Sequence, residues 1–366
     1  MEKLLCIKIA SRGDLLLASP AFRMLRMRRP NASITLLVGS SCSDVAQYLP
    51  YFDEIHTLDD HALMAAGWFA RIGEVRRFFR FLTKQVPSGV PLLESKNPLR
   101  QTPYTEVLIF HRDWRYGFLT WLAGIPRRRG FSCRWGWFFL THPYRPSNRE
   151  HHILQYLKMV FTPEIKEGKI LAEGLDGLWQ FGEGEKERAL SVAETHGFKR
   201  GGNWVALGFG GGHNVKTHTE LKIWPVDYFR QLALWLAACG CRIVWVGDTE
   251  DAAKLGEHGT DVNLAGKLTV AETAAVLSVC KRVVSNDTLI LHLAEAMGVP
   301  TVGLFGPTDP AHYRPLGARS TYIWGGEKLV CSPCHRDGYF PPCRFRHRCM
   351  TGLSVESVFQ KVEELK

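Results

Sequence analysis

The sequence predicts an α/β protein of two domains, each a doubly wound parallel sheet covered by helices. The chain has 366 residues, more than one ordinary hydrophobic core holds. Short apolar runs alternate with helical patterns in both halves, as in parallel strands joined by crossover helices. This alternation stops between residues 160 and 185, which are polar and glycine-rich. We therefore expect an N-terminal domain at 1–170 and a C-terminal domain at 180–350.

The individual elements follow from apolar and β-branched runs for strands and from helical periodicity between them. In the N-terminal half these patterns predict strands at 4–10, 33–38 and 106–110, and a helix at 15–29 that Pro30 ends. In the C-terminal half they predict strands at 204–208, 242–247, 282–285 and 301–305, and helices at 226–239, 270–280 and 288–297. The last residues, 351–366, predict an amphipathic helix, which we expect to pack back across the interdomain region.

Composition narrows the class of protein. The apolar fraction is 45% and the charged fraction 22%, as in soluble globular proteins. No uninterrupted apolar stretch of about 18 residues occurs, which disfavours a membrane-spanning helix. Charged residues come too early at the N-terminus for a secretory signal, so we expect a cytoplasmic protein. No G-x-G-x-x-G motif follows the first strand of either half, which disfavours an NAD-dependent oxidoreductase.

The net charge is confined to the N-terminal part. Residues 1–150 contain 22 Lys and Arg against 12 Asp and Glu, whereas the remainder contains 24 of each. The electrostatic field of this excess positive charge attracts an anionic partner. The candidates are nucleic acid, an acidic lipid surface and a phosphorylated glycan. The alternative is a basic face that only keeps the protein in solution.

A polar turn between a strand and a helix, residues 285–292, predicts an anion site. Asn286, Asp287 and Thr288 all suit a helix cap, and the helix they begin directs its free N–H groups and its positive dipole end outward. Such a terminus binds phosphate without a P-loop. His292 lies one turn into this helix, within reach of the same anion. The alternative is an ordinary capped helix with a histidine in the core.

Two neighbouring strand ends add to this turn. The strand at 204–208 leads into the glycine-rich loop 208–214, where missing Cβ atoms allow a ligand close to the backbone. Lys222 then precedes the next helix, and Glu250 follows the strand at 242–247, where an acidic residue suits ribose hydroxyls. Backbone donors, a cation and a carboxylate at adjacent strand ends together predict a nucleoside diphosphate site.

The combined motifs resemble glycosyltransferase family 9, the ADP-heptose:lipopolysaccharide heptosyltransferase-like enzymes of the GT-B fold. The resemblance runs in order from residue 4 to about residue 317. It is carried by RGDLLLASPA at 12–21, KIWP at 222–225, NLAGK at 263–267, NDT at 286–288 with HLA at 292–294 and GVP at 298–300, and LFGPT at 304–308. It implies two parallel-sheet domains facing across a cleft, and an inverting, metal-independent transfer of a sugar, typically a heptose, from an ADP-sugar to an inner-core acceptor.

The resemblance also implies roles for single residues of the C-terminal half. Those implied to bind the donor are Lys222 (phosphate and sugar), Glu250 (nucleoside), Asp287 (sugar), Thr288 (diphosphate) and His292 (support of that site). Two departures stand out. The family usually has glycine where this chain has Leu289, and its Pro-Gly-Ala after the first C-terminal strand is replaced by the longer glycine-rich loop.

Asp14 is the candidate catalytic base. An inverting transfer needs one carboxylate near the attacking acceptor hydroxyl, and the resemblance implies that Asp14 supplies it. The alternative is that Asp14 only caps the helix predicted at 15–29. A rival function from another class, a non-catalytic nucleotide- or nucleic-acid-binding protein, explains the basic charge. It gives no reason for Asp14, Lys222 and Glu250 to converge, so we expect no nucleic-acid partner.

Aromatic and basic residues alternate in the predicted helix at 61–84, a pattern typical of an element at an anionic membrane surface. The basic residues assigned to this acceptor or membrane face are Arg76, Arg77, Arg80 and, outside the helix, Arg128. We expect the face to bind an anionic glycolipid acceptor or the inner membrane that carries it. The alternative is a helix whose aromatic residues pack inward beneath a solvated basic face.

Four of the ten cysteines cluster near the C-terminus. Cys331, Cys334, Cys343 and Cys349 supply the ligand number of a tetrahedral thiolate site, although only the first two form a C-x-x-C pair. We therefore expect a structural zinc or iron ion there, without a catalytic role. Disulfide bonds are the alternative, and a reducing cytosol disfavours them.

Overall fold

The computed structural model describes residues 2–61, 68–84, 102–147, 150–161, 177–211, 219–256, 262–335 and 339–365. The chain divides into two compact units, residues 1–169 and residues 170–366. Each unit contains a six-stranded sheet whose neighbouring strands are all parallel. The prediction of two doubly wound parallel sheets is therefore confirmed. The stretch predicted to hold the boundary lies partly outside the described residues, at 162–176.

The first unit runs β1 (Lys3–Lys8), α1 (Arg12–Arg28), β2 (Ser33–Gly39), α2 (Ser43–Ala46), β3 (Glu54–Leu58), α3 (Trp68–Lys84), β4 (Glu106–Ile109), α4 (Trp114–Leu122), β5 (Arg127–Phe131), a 3-10 turn (Arg134–Phe139), β6 (His142–Tyr144) and α5 (His152–Phe161). Its strands lie in the order β3-β2-β1-β4-β5-β6. The order reverses between β1 and β4. The carboxyl ends of these two strands therefore flank the position at which open α/β sheets bind their ligands.

The second unit runs α6 (Glu185–Thr195), β7 (Trp204–Gly208), a 3-10 turn (Thr219–Lys222), α7 (Val226–Ala238), β8 (Arg242–Val246), α8 (Thr249–Leu255), β9 (Val262–Asn263), α9 (Val270–Leu277), β10 (Arg282–Asn286), α10 (Leu289–Ala296), β11 (Thr301–Phe305), α11 (Pro310–Tyr313), β12 (Thr321–Trp324), α12 (Arg348–Thr351) and α13 (Val355–Glu364). Its strand order, β12-β11-β10-β7-β8-β9, repeats that of the first unit. The reversal here falls between β7 and β10.

The core of the second unit explains where the C-terminal helix packs. Trp224 and Trp245 are fully buried between the sheet and its helices. Val358 and Val362 of α13 belong to the same cluster, and the guanidinium of Arg282 donates a hydrogen bond to the Val362 carbonyl at 3.2 Å. The amphipathic helix predicted at the C-terminus thus places its apolar stripe on the second unit.

Strands β5, β6, β9 and β12 do not stand out in the sequence, and β5 shows why. It begins with three consecutive arginines, a composition typical of a surface. In the sheet, Arg129 donates a hydrogen bond at 2.6 Å to Glu106 on the neighbouring β4, and Glu106 is buried. Because an ion pair across two strands replaces the usual apolar pair, hydrophobic periodicity alone could not identify this strand.

Within the part of the chain that the structure describes, no helix is both long enough and apolar enough to cross a membrane.

Candidate functional site

The turn between β10 and α10 is the centre of the candidate donor site. Ser285 and Asn286 end the strand fully buried, and Thr288, with extended backbone, is the N-cap of α10. The Thr288 hydroxyl makes no capping hydrogen bond and lies 3.3 Å from the Ser285 hydroxyl. The first N–H groups of α10 therefore lack a side-chain cap from Thr288, which leaves donors at the carboxyl end of the sheet. The predicted capped helix start is thus present, although its cap makes no side-chain bond.

Asp287 is held between two basic side chains. Its Oδ2 lies 2.8 Å from Nζ of Lys222, which also donates to the Asp287 carbonyl at 3.2 Å. Its Oδ1 lies 3.7 Å from Nε2 of His292, one turn along α10. Asp287 and His292 are both buried, with 4% and 6% of their surface exposed. The structure therefore brings together three of the residues that the sequence nominated for donor binding.

The electrostatics of this group favour the ionised carboxylate. Burial alone would raise the pKa of Asp287, but the Lys222 ammonium and the neighbouring His292 outweigh burial and hold it well below its ordinary value. Asp287 is therefore a hydrogen-bond acceptor at neutral pH and cannot act as a proton donor. Among the described residues, no hydrogen-bond partner is found for the buried Nδ1 of His292, so this polar atom can bind a ligand.

Asn286 connects the donor turn to two further segments. Its Nδ2 donates to the carbonyls of Phe209 and Gly210, at 3.0 and 2.9 Å, and its Oδ1 accepts from the N–H of Trp224 at 3.1 Å. Asn286 therefore fixes the loop after β7 and the segment that carries Lys222. The sequence suggested only a capping role for Asn286, although a polar residue directly after a predicted buried strand was a signal for a further role.

The loop after β7 passes closely over α8. A Cβ atom on Gly210 would lie 1.9 Å from Oδ2 of Asp251, so only glycine fits this position. Asp251 is buried and forms a capping box with Asp248, whose N–H donates to its Oδ2 at 3.1 Å. The part of the predicted glycine-rich loop at 212–214 lies outside the described residues.

Glu250 occupies the first turn of α8 with its side chain exposed. The adjacent carboxylate, Asp251, is the one that the loop covers, and burial raises its pKa. The sequence did not show which of these two carboxylates is buried. Asp251 is the buried one because it lies three residues after the N-cap Asp248, where its carboxylate accepts a hydrogen bond from the Asp248 N–H. Glu250 thus remains accessible for the nucleoside contact that the resemblance implies.

The described part of the cysteine-rich segment, residues 331–335 and 339–349, lies at the carboxyl end of the second sheet, where the donor turn also lies. The N–H groups of Cys334 and His335 donate to the Pro307 carbonyl at 3.0 and 3.1 Å. The ring of Phe340, 2% exposed, lies 5.6 Å from Nζ of Lys222. Thr308, next to Pro307, has a buried hydroxyl without a hydrogen-bond partner in the structure. The segment therefore forms part of the surroundings of Lys222, a relationship that the sequence did not indicate.

The four cysteines of this segment are all described. Burial, followed by the neighbouring cysteines, raises the pKa of Cys349 to about 12, and the same causes raise the pKa of Cys334. Among the described residues, no group of three or more His, Cys, Asp and Glu side chains is placed to hold a metal ion. The geometry thus lends no support to the predicted zinc or iron ion.

Asp14 lies in the first unit, at the carboxyl end of β1. Helix α1 begins at Arg12 with Ser11 as its N-cap, so Asp14 belongs to the first turn. Asp14 is therefore not the N-cap residue that the alternative made it, although its carboxylate accepts a hydrogen bond from the backbone of the N-cap Ser11. Its Oδ2 lies 3.4 Å from Nζ of Lys8, which is 3% exposed. Burial opposes ionisation, but the charge of Lys8 and, less strongly, of His152 outweighs it and lowers the pKa of Asp14 to about 2.

Aromatic and imidazole groups complete the surroundings of Asp14. The buried ring of Tyr156 lies 5.9 Å from Nζ of Lys8. His111 follows β4 and packs edge-on against Tyr116, with the ring centroids 5.3 Å apart. Burial, followed by the charge of Lys8, lowers the pKa of His111 to about 4, so its imidazole is neutral at pH 7. Sequence reasoning missed these residues, although a lysine at the end of an apolar strand was a usable signal.

The basic helix α3 packs by its aromatic side. Phe78 and Leu82 are buried in the core of the first unit, whereas Arg76, Arg77 and Arg80 are exposed. Arg77 forms an ion pair at 2.9 Å with Glu74. The described part of α3 thus has the geometry of the alternative, a packed helix with a solvated basic face. The predicted helical residues 62–67 lie outside the described chain.

Arg128 has a different environment from the arginines of α3. It is half-buried, and its Nε donates to the Phe139 carbonyl at 2.6 Å. Its guanidinium also binds the Ile125 carbonyl. Arg128 therefore stabilises the backbone around the 3-10 turn before β6.

Two doubly wound parallel sheets, the second with a lysine–aspartate–histidine group at a helix N-terminus, form an α/β fold similar to that of the GT-B glycosyltransferases. The model of glycosyltransferase family 9 (heptosyltransferase) matches residues 93–339, more than half of the chain. The chain belongs to this family.

Individual relatives agree with the family. The chain is 23% identical over 384 residues to lipopolysaccharide heptosyltransferase 2 of Escherichia coli, which covers 99% of this chain and 98% of that protein. The structure of a glycosyl transferase family 9 protein from Veillonella parvula superposes with a TM-score of 0.76 at 20% identity, covering 100% and 97% of the two chains. The E. coli ADP-heptose LPS heptosyltransferase II gives 0.71 at 21% identity, with 99% and 98% covered. These two similarities show the shared fold.

Proposed function

We propose that this chain transfers a heptose from an ADP-heptose to an inner-core sugar of lipopolysaccharide or a related anionic glycan. We further propose that the transfer proceeds with inversion and without a metal ion at the reacting centre. The observation that carries the proposal is the pairing of Lys222 with Asp287 beside His292. The name of the full-length E. coli relative, lipopolysaccharide heptosyltransferase 2, supports the choice of sugar and acceptor.

The donor is proposed to bind at the end of β10. The diphosphate would lie on the N-terminal N–H groups of α10 beside the Thr288 hydroxyl, with the Lys222 ammonium neutralising part of its charge. Asp287, ionised and acceptor-only, suits sugar hydroxyls, and the exposed Glu250 suits the ribose. These donors and cations would also stabilise the charge that develops on the departing ADP.

Asp14 is proposed as the general base. The acceptor hydroxyl oxygen bonds to the anomeric carbon as the bond from that carbon to the β-phosphate oxygen breaks, with its electron pair leaving on ADP. The hydroxyl proton passes to the Asp14 carboxylate, and the single displacement inverts the configuration. The pKa of about 2 keeps Asp14 ionised at neutral pH and makes it a weak base. The paired Lys8 therefore sets the basicity of this carboxylate.

The acceptor is proposed to be anionic and membrane-borne. The excess charge of residues 1–150, 22 basic against 12 acidic side chains, and the exposed Arg76, Arg77 and Arg80 support attraction to phosphorylated glycans and acidic lipids. The protein would work in the cytoplasm, at the inner face of the inner membrane. Added salt should then weaken its sedimentation with anionic vesicles.

One experiment tests the transferase proposal directly. The purified protein is incubated with ADP-, UDP- or GDP-heptose and with lipopolysaccharide lacking the inner-core heptose, with and without EDTA. We expect ADP release and a heptosylated product only with ADP-heptose, an inverted anomeric configuration by NMR, and no effect of EDTA. Retention of configuration, or a stronger reaction with another nucleotide, would contradict the proposal.

A structural ion bound by Cys331, Cys334, Cys343 and Cys349 remains a prediction from the sequence. Metal analysis of anaerobically purified protein tests it, with about one zinc or iron per chain as the expected result for a tetrahedral thiolate site. Substituting Cys334 by serine should then release the metal. A metal-free protein with normal activity would remove this prediction without affecting the transferase proposal.

A further inference from the structure

The 3-10 turn Arg134–Phe139, here named the aromatic turn, exposes large apolar side chains. Trp135 is 73% exposed, Trp137 56% and Phe138 65%. A side chain of this size in water is costly, and neighbouring exposed aromatic residues usually mark an interaction surface. None of these three residues belongs to the donor site or to the surroundings of Asp14. The aromatic turn therefore has a role that the transfer chemistry does not explain.

The aromatic turn is mounted on a packed base. Phe139, half-buried, contacts three aromatic residues on one face of α4, with ring centroids 6.0 Å from Trp114, 5.2 Å from Phe118 and 5.7 Å from Trp121. Phe138 lies edge-on to both Trp137 and Phe139, at 5.9 and 5.4 Å. The exposed rings therefore project from an ordered aromatic cluster.

The backbone of the aromatic turn is also fixed. Arg128 donates to the Phe139 carbonyl at 2.6 Å, and the N–H of Gly136 donates to the Cys133 carbonyl at 2.9 Å. The Thr141 N–H donates to the Arg128 carbonyl at 2.9 Å, which anchors the chain immediately after the turn. Because these bonds hold the turn in one conformation, little conformational entropy is lost when its side chains bind a partner.

The charge around the aromatic turn indicates the partner. Residues 114–147 contain six arginines and no aspartate or glutamate. Arg127 is exposed at the first position of β5, and Arg145 is exposed immediately after the last residue of β6. Two of the six arginines, Arg115 and Arg129, form ion pairs with Asp113 and Glu106, which lie outside this segment. Exposed tryptophan and phenylalanine in a segment that contains arginines and no acidic residue match an anionic lipid headgroup layer, where indole rings lie at the interface and guanidinium groups bind phosphate.

We propose that the aromatic turn inserts Trp135, Trp137 and Phe138 into the surface of an anionic lipid bilayer, with Arg127 and Arg145 on the headgroups. This inference deepens the membrane contact of the proposed function and names the surface that makes it. Phe78 and Leu82 of α3 cannot serve this purpose, since both side chains are buried in the core. The arginines of α3 contribute charge attraction, whereas the aromatic turn provides insertion.

The test compares vesicles of phosphatidylcholine alone with vesicles that also contain phosphatidylglycerol. Wild type is expected to bind the anionic vesicles, and Trp135→Ala/Phe138→Ala to lose about tenfold or more of its partition coefficient for each aromatic removed. Leu234→Ala, at a leucine 55% exposed on the second unit, is the matched control and should bind as wild type does. Brominated lipid should quench tryptophan fluorescence in wild type more than in Trp135→Phe/Trp137→Phe.

The outcomes separate this inference from the transferase proposal. A water-soluble acceptor oligosaccharide should be used equally by wild type and the double variant, and an acceptor embedded in vesicles should be used less by the variant. Unchanged vesicle binding by a folded variant overturns the inference, as does wild-type binding to neither vesicle. A shift from oligomer to monomer with unchanged lipid binding would show a surface for a second copy of the chain. If the double variant unfolds, Trp135→Ser alone decides, because Trp135, 73% exposed, is the most exposed of the three aromatic residues.

Discussion

Nζ of Lys222 lies 2.8 Å from Oδ2 of Asp287, and the same ammonium donates to the carbonyl of that residue at 3.2 Å. One cation thus fixes both the side chain and the backbone of the residue that precedes the N-cap of α10. The ring of Phe340 covers it from the cysteine-rich segment at 5.6 Å. The position of Lys222 therefore depends on chain segments that lie far apart in the sequence.

Replacing Lys222 by methionine should leave a buried carboxylate with only His292 beside it. Breaking a buried ion pair costs about 3 kcal/mol or more, so we expect a loss of that order in the free energy of unfolding. ADP affinity should fall about tenfold or more, because a charged contact to phosphate is lost. Urea unfolding and calorimetric titration with ADP measure both. The control is Lys267→Met, at an exposed lysine whose ammonium donates to the Asn263 carbonyl at 2.9 Å. Equal effects of the two substitutions would exclude a special role for Lys222.

The low pKa of Asp287 predicts acid sensitivity. The folded state holds this carboxyl ionised more strongly than the unfolded chain does. Its contribution to stability is therefore fully present above pH of about 4, and it is lost as the pH falls through the folded-state pKa. Urea unfolding between pH 6 and pH 3 should show a smaller loss of stability for Asp287→Asn than for wild type. Parallel pH curves for the two proteins would contradict this assignment.

Asp14→Asn should abolish transfer and preserve donor binding. Removing a general base lowers the rate by about a hundredfold to ten-thousandfold, whereas the donor residues lie in the other unit. Initial rates with ADP-heptose measure the first effect and ADP titration the second. Asp44→Asn removes a more exposed carboxylate of the same unit, paired with Arg12 at 2.9 Å, and should retain activity. Normal turnover by Asp14→Asn would remove this residue from the mechanism.

Replacing Asn286 by aspartate should lower the free energy of unfolding more than replacing it by alanine does. Alanine loses three hydrogen bonds, worth about 1 kcal/mol each, while aspartate keeps the acceptor for Trp224. Aspartate, however, would place a buried carboxylate oxygen against the carbonyls of Phe209 and Gly210, which repel it. Urea unfolding of both variants at pH 7 is the measurement. A more stable Asn286→Asp would show that the loop after β7 moves away from this side chain.

The sequence predicted a strand or helix correctly where the residues of that element form an apolar pattern by themselves. The strand at 301–305 was predicted with the bounds that the structure has, because four apolar or β-branched residues and one glycine lie between the proline at 300 and the glycine at 306. It failed at β5, whose arginines are neutralised by a partner on β4. It also misjudged the start of α1, because Ser11, three residues before Asp14, is the residue in extended backbone.

The site shows the same division. Asp287 and Thr288 form the turn between β10 and α10, and His292 lies one turn into α10. Their proximity was therefore predictable from local structure. The contact with Lys222 and the bonds of Asn286 join residues more than 60 positions apart. No local pattern encodes such distances, because they depend on which strands become neighbours.

The sequence by itself determined two parallel sheets, the anion-binding turn after β10 and the family to which its motifs belong. These depend on apolar periodicity and on residues adjacent in the chain. Only the tertiary structure decided that Lys222 neutralises Asp287, that Lys8 lowers the pKa of Asp14, and that α3 buries Phe78 while the aromatic turn exposes Trp135, Trp137 and Phe138. Burial and Coulomb interactions act through space, and their strength is set once the strand order has brought distant residues within a few ångströms.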